Sequence, residues 1–256
     1  MFQLISGQLD VDRLDYLTRD SFFTGVSEGV INYNRIIDMI AVKDNELVLE
    51  AKAIYSVEKF LISRRIMYWQ VYLHKTVICA EEMMIQILLR AKELVADGIN
   101  LACSESLSYF LKNKISKADF DKDSSNLEKY ASMDDIDIMA AIKQWMYCED
   151  RVLSFLCKSL INRKLFTIKM QNEPLDQAEI KTKLASLMQE HKLSKLEAEK
   201  LLIQNEMTIY LYNPKQNKIN ILFKDGSLKD FADATDQWNI SALGHPVTKH
   251  YVCFPK

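Results

Sequence analysis

Charged side chains are concentrated in a short segment near the N-terminus, where four aspartates and two arginines fall within eleven residues. In a helix, Asp12, Tyr16 and Asp20 are spaced i, i+4 and i+8 and therefore share one face. Leu14 and Leu17 lie on a different face, which suits a core. Carboxylates can bind cations and guanidinium groups can bind phosphates, but composition alone favours a solvated helix held by ion pairs.

A second set of side chains follows helical spacing within residues 60–78 and consists of Arg64, Tyr68, Tyr72 and Lys75. Taken alone, the aromatic residues indicate a core and the cations indicate a solvated face. Neither segment by itself identifies a reaction.

Both segments resemble parts of HD-domain phosphohydrolases. They are most similar to the deoxynucleoside-triphosphate (dNTP) triphosphohydrolase branch, which contains the SAM- and HD-domain dNTPases and bacterial relatives. The segment ISGQLDVDRLDYLTRDSFFTGV resembles the family helix Asp-x-Asp-[Lys/Arg]-x-Asp-Tyr-x-x-Arg-Asp, and the segment that starts at Arg64 is similar to the family's Arg-x7-Tyr-x-His-Lys helix. The resemblance is specific over about residues 3–78 and loose over 130–170.

The resemblance implies roles for residues that would contact a substrate. Asp12 corresponds to the metal-ligating carboxylate, and Arg13 and Arg64 correspond to residues that hold phosphate oxygens. An arginine suits that task because its planar fork makes bidentate contacts. The residues that would shape the sugar site are Tyr16, Asp20 and Tyr72.

The same resemblance implies an effector site for phosphate. His74 and Lys75 correspond to a pair that reaches effector phosphates between subunits of the family. Asn162-Arg163-Lys164-Leu165-Phe166 resembles the Arg-x-Leu-Phe that opens the family's C-terminal lobe, which makes Arg163 a third candidate.

The remaining metal ligands of the family have no counterpart in this sequence. An HD hydrolase holds its metal with a His, a His-Asp dipeptide and the distal Asp, whereas none of the four histidines here is followed by Asp and all lie after Asp12. We therefore expect that the divalent metal of the complete site (Mn, Fe, Zn or Mg) is not held by this chain alone, and we assign no catalytic residue. A fragment, a truncated or split gene, or a separate chain that supplies the missing HD half would each explain the pattern.

Composition limits the other classes of function. Lys and Arg number 33 against 35 Asp and Glu, a net charge of −2, which offers no bulk attraction to nucleic acid or to an anionic membrane. No apolar run approaches the roughly 20 residues of a membrane span, no signal peptide is evident, and the five cysteines form no CxxC pair. These features predict a cytoplasmic protein without nucleic-acid or membrane partners.

The distribution of proline predicts two regions, since all four prolines fall in the last third. Residues 1–170 are expected to form a mainly α, HD-domain-like helical bundle that lacks the N-terminal His/His-Asp half, and residues 171–256 a small α+β lobe. The alternation in 207–212 and 218–223 predicts a β-hairpin, and a further strand is expected at 249–254. The predicted helices span 9–20, 32–42, 56–97, 99–112, 116–121, 134–145, 149–162, 176–190 and 194–204.

Three functions remain open at this point. The first is part of a metal-dependent phosphohydrolase that cleaves (deoxy)nucleoside triphosphates at the α-phosphorus, in which case this isolated chain is inactive. The second is a non-catalytic nucleotide-binding or oligomerisation module, which would bind nucleotide without turnover. The third is a plain helical scaffold, which would not bind nucleotide. Expected partners are a nucleotide and either further copies of this chain or the chain that carries the missing half.

Overall fold

The chain forms two compact units. The first comprises Met1–His74 and Met207–Lys249, and the second comprises Lys75–Glu206 and His250–Lys256. This division differs from the predicted boundary near residue 170, because the chain returns to the first unit after passing through the second. The computed structural model describes residues 2–209, 212, 218–235 and 246–256.

Helices make up most of the described secondary structure, so the predicted mainly helical class with a small mixed region is confirmed. Within the described ranges, no helix is long and apolar enough to cross a membrane. The helices are α1 (Phe2–Ser6), α2 (Val11–Thr24), α3 (Tyr33–Asp38), α4 (Ile54–Met67), α5 (Lys75–Ala96), α6 (Glu105–Lys112), α7 (Lys117–Lys122), α8 (Ser124–Ala131), α9 (Asp135–Trp145), α10 (Arg151–Ile161), α11 (Gln177–His191), α12 (Lys195–Leu201) and α13 (Phe231–Ala234).

The strands form two small sheets. One has the order β1-β2-β5-β6, in which β5 pairs parallel to β2 and the other pairs are antiparallel. The other has the order β3-β7-β4, with β3 and β7 antiparallel. The strands are β1 (Ile40–Lys43), β2 (Glu46–Glu50), β3 (Thr167–Gln171), β4 (Ile203–Ile209), β5 (Asn220–Leu222), β6 (Leu228–Asp230) and β7 (Val247–Phe254).

The first unit is built around α2 and α4. Asp10 caps the start of α2 by accepting a hydrogen bond from the Arg13 amide at 2.8 Å, and Gly25 ends the helix in a left-handed conformation at φ 73°. Leu14 and Leu17 of α2 are buried, as their position in the sequence predicted. The core is formed by the buried side chains Leu14, Leu17, Ile31, Ile36, Leu49, Val57, Phe60, Leu61, Met67, Tyr212, Ile221 and Phe231.

Gly29 lies in a 3-10 turn, Ser27–Gly29, where the backbone comes close to α2 and α4. A Cβ atom at this position would lie 2.7 Å from Met67 Sδ and 2.8 Å from Ser21 Cβ. We expect G29A to lower the free energy of unfolding by about 2 kcal/mol, since overpacking a tight contact forces neighbours out of place. Urea denaturation measures this change. S27A, at an exposed position of the same turn, serves as the control, and an equal effect of both variants would contradict the packing argument.

The predicted helix over 32–42 is wrong beyond Asp38, because the chain there forms the β1–β2 hairpin. Asp44 and Asn45 make the turn with φ angles of 52° and 64°. Two successive residues with positive φ are typical of a two-residue hairpin turn, and Asp and Asn tolerate that conformation.

The predicted continuous helix over 56–97 is also interrupted. After α4, residues Tyr68–Tyr72 form a π-helical turn, and the Leu73 amide donates to the Tyr68 carbonyl at 2.7 Å. A new helix, α5, begins at Lys75 and ends at Ala96, one residue before the predicted end at 97, with Gly98 at φ 86°. No proline or glycine marks the interruption in the sequence.

The strands near 207–212 and 218–223 exist, but their predicted pairing as a hairpin is wrong. β4 pairs with β7, whereas β5 pairs with β2 and β6. Ile221 of β5 is fully buried in the core of the first unit, which is a stronger constraint on its position than proximity in sequence. Residues 210, 211 and 213–217 of this predicted hairpin lie outside the described residues.

The second unit contains α5 to α12, β3, the residues of β4 up to Glu206 and the residues of β7 from His250 onwards. Within it, α5 contacts α6, α10 and β3, and α10 contacts α9. The indole N–H of the buried Trp145 donates to the Ala102 carbonyl at 2.9 Å. The predicted strand at 249–254 is confirmed as part of β7. The polar stretch 116–130 forms α7, close to the predicted helix over 116–121, and α8, and Asp134 caps α9.

Candidate functional site

One end of α4 and the inner face of α2 bring aromatic, acidic and basic side chains together in the first unit. The Tyr72 hydroxyl donates to Asp20 Oδ2 at 2.8 Å. The Tyr16 and Tyr72 rings meet edge to face with their centroids 5.8 Å apart. The structure therefore brings together all three residues predicted to shape a sugar site, although contact with a sugar stays a prediction.

Burial and the neighbouring groups keep both tyrosines protonated. The pKa of Tyr72 is raised, first by burial and then by its hydrogen bond to the Asp20 carboxylate. The pKa of Tyr16 is also raised, first by burial and then by the Tyr68 side chain. Tyr72 therefore acts as a hydrogen-bond donor to Asp20 across the neutral pH range.

Arg64 is the buried cation of this site, with 8% of the residue exposed. Its Nη1 donates to Gln8 Oε1 at 3.3 Å, and its guanidinium carbon lies 5.4 Å from the centroid of the Tyr68 ring. The buried position indicates a fixed guanidinium rather than a mobile surface cation.

Arg13 is tied to the turn that precedes α2. Its Nη1 contacts the Gly7 carbonyl oxygen, and the same nitrogen forms an ion pair with Asp10 Oδ2 at 2.6 Å. The arginine has five N–H donors, so the remaining donors of its half-buried side chain can serve the predicted phosphate contact. Asp10 thus supports both the start of the helix and the position of Arg13.

Asp12 is exposed in the first turn of α2, where the helix dipole favours a carboxylate. In the part of the chain that the structure describes, no group of three or more His, Cys, Asp or Glu side chains could hold a metal ion. A transition metal normally needs three or four protein ligands, and one carboxylate does not provide them. The described residues therefore do not form a metal site by themselves.

The predicted effector residues are distributed over both units. His74 is exposed at the end of the first unit, and Lys75 is the exposed first residue of α5. Arg163 follows α10 with a φ angle of 56°, in the left-handed region. His74 belongs to the first unit, whereas Lys75 and Arg163 belong to the second, and a joint effector site stays a prediction.

Two residues of this arrangement were not assigned to the site from the sequence. Tyr68 was recognisable only by its spacing, four residues after Arg64 and four before Tyr72. Gln8 carries no local signal, because its contact with Arg64 joins positions 56 residues apart.

A cavity of about 360 Å³ lies beside the turn that carries Gln8. Gln8, Gly7, Leu49 and Ile219 are among its lining residues, whereas none of the predicted substrate residues is. The cavity therefore shares Gln8 with the site but is not lined by the residues predicted to bind substrate.

Comparison with known proteins connects this arrangement with a family. Residues 31–102 match the family described as HD associated region. A crystal structure of a phosphohydrolase from Bacteroides thetaiotaomicron is similar in fold over 99% of this chain, with a TM-score of 0.90 and 45% sequence identity, and this chain covers 63% of it.

Several curated proteins are similar in sequence. The uncharacterized protein YwfO of Bacillus subtilis is 30% identical over 258 residues, which are 99% of this chain and 57% of that protein. The deoxynucleoside triphosphate triphosphohydrolase SAMHD1 homolog of Dictyostelium discoideum is 34% identical over 67 residues, 26% of this chain and 13% of that protein. The chain thus spans somewhat more than half the length of YwfO. Together, the match to the HD-associated region and the likeness to a phosphohydrolase support assignment of this chain to the HD phosphohydrolase family.

Proposed function

We propose that this chain supplies the phosphate-binding and sugar-binding side of an HD-family phosphohydrolase that acts on (deoxy)nucleoside triphosphates. The observation that carries the proposal is the connected set of Asp20, Tyr72, Tyr68 and Arg64 in the first unit. The set places a buried cation and a carboxylate at opposite ends of a row of aromatic rings. The local similarity to a Dictyostelium dNTP triphosphohydrolase homolog supports the choice of substrate class.

Different residues bind the phosphate and the sugar parts of the nucleotide. Arg64 and the remaining donors of Arg13 bind phosphate oxygens, for which the guanidinium fork is suited. Asp20 accepts the Tyr72 hydroxyl with Oδ2, and we assign its Oδ1 to a sugar hydroxyl. The rings of Tyr72 and Tyr16 form the wall of the sugar site.

Asp12 contributes one ligand to a divalent metal (Mn, Fe, Zn or Mg) that is held only with ligands from another protein segment. The described residues do not hold that metal alone, so we propose that the isolated chain binds nucleotide without hydrolysing it. The same observation favours the alternative of a non-catalytic nucleotide-binding module. Turnover after addition of the part of the longer relatives that this chain does not span distinguishes the two functions.

We also propose that the chain works with a further protein part, either a second copy or the part of the longer relatives that it does not span. Phe22 and Phe23 of α2 are 80% and 79% exposed. A groove of about 400 Å³ lies between α2 and α3, next to Val11, Tyr33 and Ile37. Exposed apolar surface of this kind is typical of interaction sites.

Calorimetric titration of the chain with deoxyadenosine triphosphate (dATP), inorganic tripolyphosphate and deoxyadenosine tests the proposal. We expect dATP to bind more tightly than either partial ligand, and we expect no release of tripolyphosphate from dATP by the chain alone. If neither dATP nor tripolyphosphate binds, the proposal is wrong.

D20N is expected to weaken dATP binding about tenfold and to leave tripolyphosphate binding unchanged. The reason is that a neutral amide oxygen accepts a hydrogen bond less strongly than a carboxylate, by about 1.4 kcal/mol, which corresponds to a factor of about ten. D15N is the matched control, since Asp15 lies on the same helix but pairs with Arg19 at the exposed surface. A similar loss in both variants would show a general charge effect instead of a sugar contact.

A further inference from the structure

Tyr68 lies between the two halves of the proposed site. Its ring centroid is 5.4 Å from the Arg64 guanidinium carbon on one side. On the other side it is 5.3 Å from the Tyr72 centroid, at an interplanar angle of 77°. The first contact has the distance of a cation–π interaction and the second is an edge-to-face aromatic pair.

The backbone fixes this placement. The π-helical turn begins at Tyr68 and ends at Tyr72, and it closes with the hydrogen bond from the Leu73 amide to the Tyr68 carbonyl. A π turn adds one residue to the helical repeat and therefore changes the directions of the side chains on either side of it. Such turns occur often at functional sites. Here the turn includes Tyr68 and Tyr72 and follows directly after α4, which ends at Met67.

The ring of Tyr68 can restrict both neighbours at once. A guanidinium group that packs on an aromatic face is held in orientation as well as in position. The edge-to-face contact does the same for the Tyr72 ring, whose hydroxyl is anchored on Asp20. Tyr68 also acts on Tyr16, whose pKa is raised first by burial and then by the Tyr68 side chain.

We propose that Tyr68 is a positioning residue that holds the Arg64 guanidinium in fixed relation to the Tyr72–Asp20 pair, so that the phosphate and sugar ends of one nucleotide bind together. The inference rests on the proposed function and adds a residue to it. Tyr68 acts through Arg64 and Tyr72, and no contact with the nucleotide is assigned to it.

Affinity measurements on Tyr68 variants of the chain test this role. Y68L removes the ring, and we expect it to weaken dATP binding about tenfold but tripolyphosphate binding by less than about threefold. Y68F keeps the ring, and we expect it to stay within about twofold of the original affinity for both ligands. Y55L is the matched control, because Tyr55 lies on α4 with 65% exposure.

A double-mutant cycle separates positioning from a general structural role. We expect the effects of R64K and Y72F on dATP affinity to be non-additive when Tyr68 is present and additive in the Y68L background. Additivity in both backgrounds, or full dATP affinity in Y68L, overturns the proposal.

A measurement without ligand distinguishes failure of this inference from failure of the proposed function. The Arg64 Nε atom is buried, so its N–H proton should give a resolved nuclear magnetic resonance signal that is shifted by the Tyr68 ring. The shift should persist in Y68F and disappear in Y68L. If the signal does not change in Y68L, Tyr68 does not hold Arg64, whether or not the chain binds dATP. If dATP and tripolyphosphate fail to bind while the shift behaves as expected, the proposed function is overturned and the contact between Tyr68 and Arg64 is supported.

Discussion

D150A is expected to lower the free energy of unfolding by about 3 kcal/mol. Asp150 caps α10 by accepting the Leu153 amide at 2.7 Å, and loss of such a cap costs about 1 kcal/mol. Its carboxylate also binds Arg90 through two hydrogen bonds, Nε to Oδ1 at 3.2 Å and Nη2 to Oδ2 at 2.6 Å. Removing one partner of this pair costs about 2 kcal/mol, below the value for a fully buried pair, because the Asp150 and Arg90 side chains are 17% and 23% exposed.

Urea denaturation of three variants separates the cap from the ion pair. D150N keeps an oxygen that can cap the helix but loses the charge, so it should lose about 2 kcal/mol. D134A is the matched control, since Asp134 caps α9 in the same way and lies at an exposed position; it should lose about 1 kcal/mol. Equal losses in D150A and D134A would show that the pair with Arg90 contributes nothing measurable.

The same ion pair predicts that the stability of the protein falls at acid pH. Burial raises the pKa of Asp150, but the hydrogen bonds from Arg90 and the α10 amides outweigh burial and leave that pKa below the ordinary value. A carboxyl with a depressed folded-state pKa stabilises the fold at pH values above its unfolded-state pKa, and this contribution is lost as pH falls through the folded-state pKa. The stability of the original protein should therefore decrease more steeply than that of D150N below about pH 3.8, the ordinary value for Asp.

Local signals in the sequence predicted the end of α5 to within one residue and the presence of α2, although α2 extends to Thr24, beyond the predicted end at 20. Gly25 and Gly98 end α2 and α5 in the left-handed conformation that glycine allows at low cost. The β1–β2 hairpin escaped prediction because its apolar residues follow directly on those of α3 and mimic a continuing helix. Its turn, Asp44-Asn45, is a weaker signal than the Asn-Gly or Asp-Gly pairs that favour such hairpins.

The positions of other elements depend on contacts between residues far apart in the sequence. β5 lies beside β2 although about 170 residues separate them, and no local pattern encodes a parallel partner at that distance. The sequence of the π turn after α4 likewise contains no proline or glycine that would indicate an interruption of the helix. Its position next to Arg64 and Tyr72 agrees with the general tendency of irregular helical turns to occur where side chains must be directed for function.

The part of the candidate site that lies on one face of a helix could be predicted from the sequence. Helical spacing placed Asp12, Tyr16 and Asp20 on one face of α2, and the resemblance added Arg64 and Tyr72 from a second segment. The hydrogen bond that joins Tyr72 to Asp20 links positions 52 residues apart, so only the fold could show it. The ion pair between Arg13 and Asp10, by contrast, joins positions three residues apart at the start of α2.

R64A is expected to weaken binding of dATP and of tripolyphosphate about 100-fold. A hydrogen bond to a charged group is worth about 1.5–3 kcal/mol, and a factor of 100 in affinity corresponds to about 2.7 kcal/mol. Arg64 is buried beside Gln8 and the Tyr68 ring, so its orientation is fixed before a ligand arrives and little ordering entropy is lost on binding.

Two further variants make this prediction specific to the guanidinium group. R64K keeps the charge but lacks the planar fork, and it should weaken binding of both ligands about tenfold. R65A removes the neighbouring cation of the same helix and should stay within about twofold of the original affinity. Thermal unfolding of each variant establishes that it is folded before titration. If R64A binds both ligands as tightly as R65A does, Arg64 is not the phosphate-binding residue, and the polar cluster of α2 and α4 then serves the fold alone.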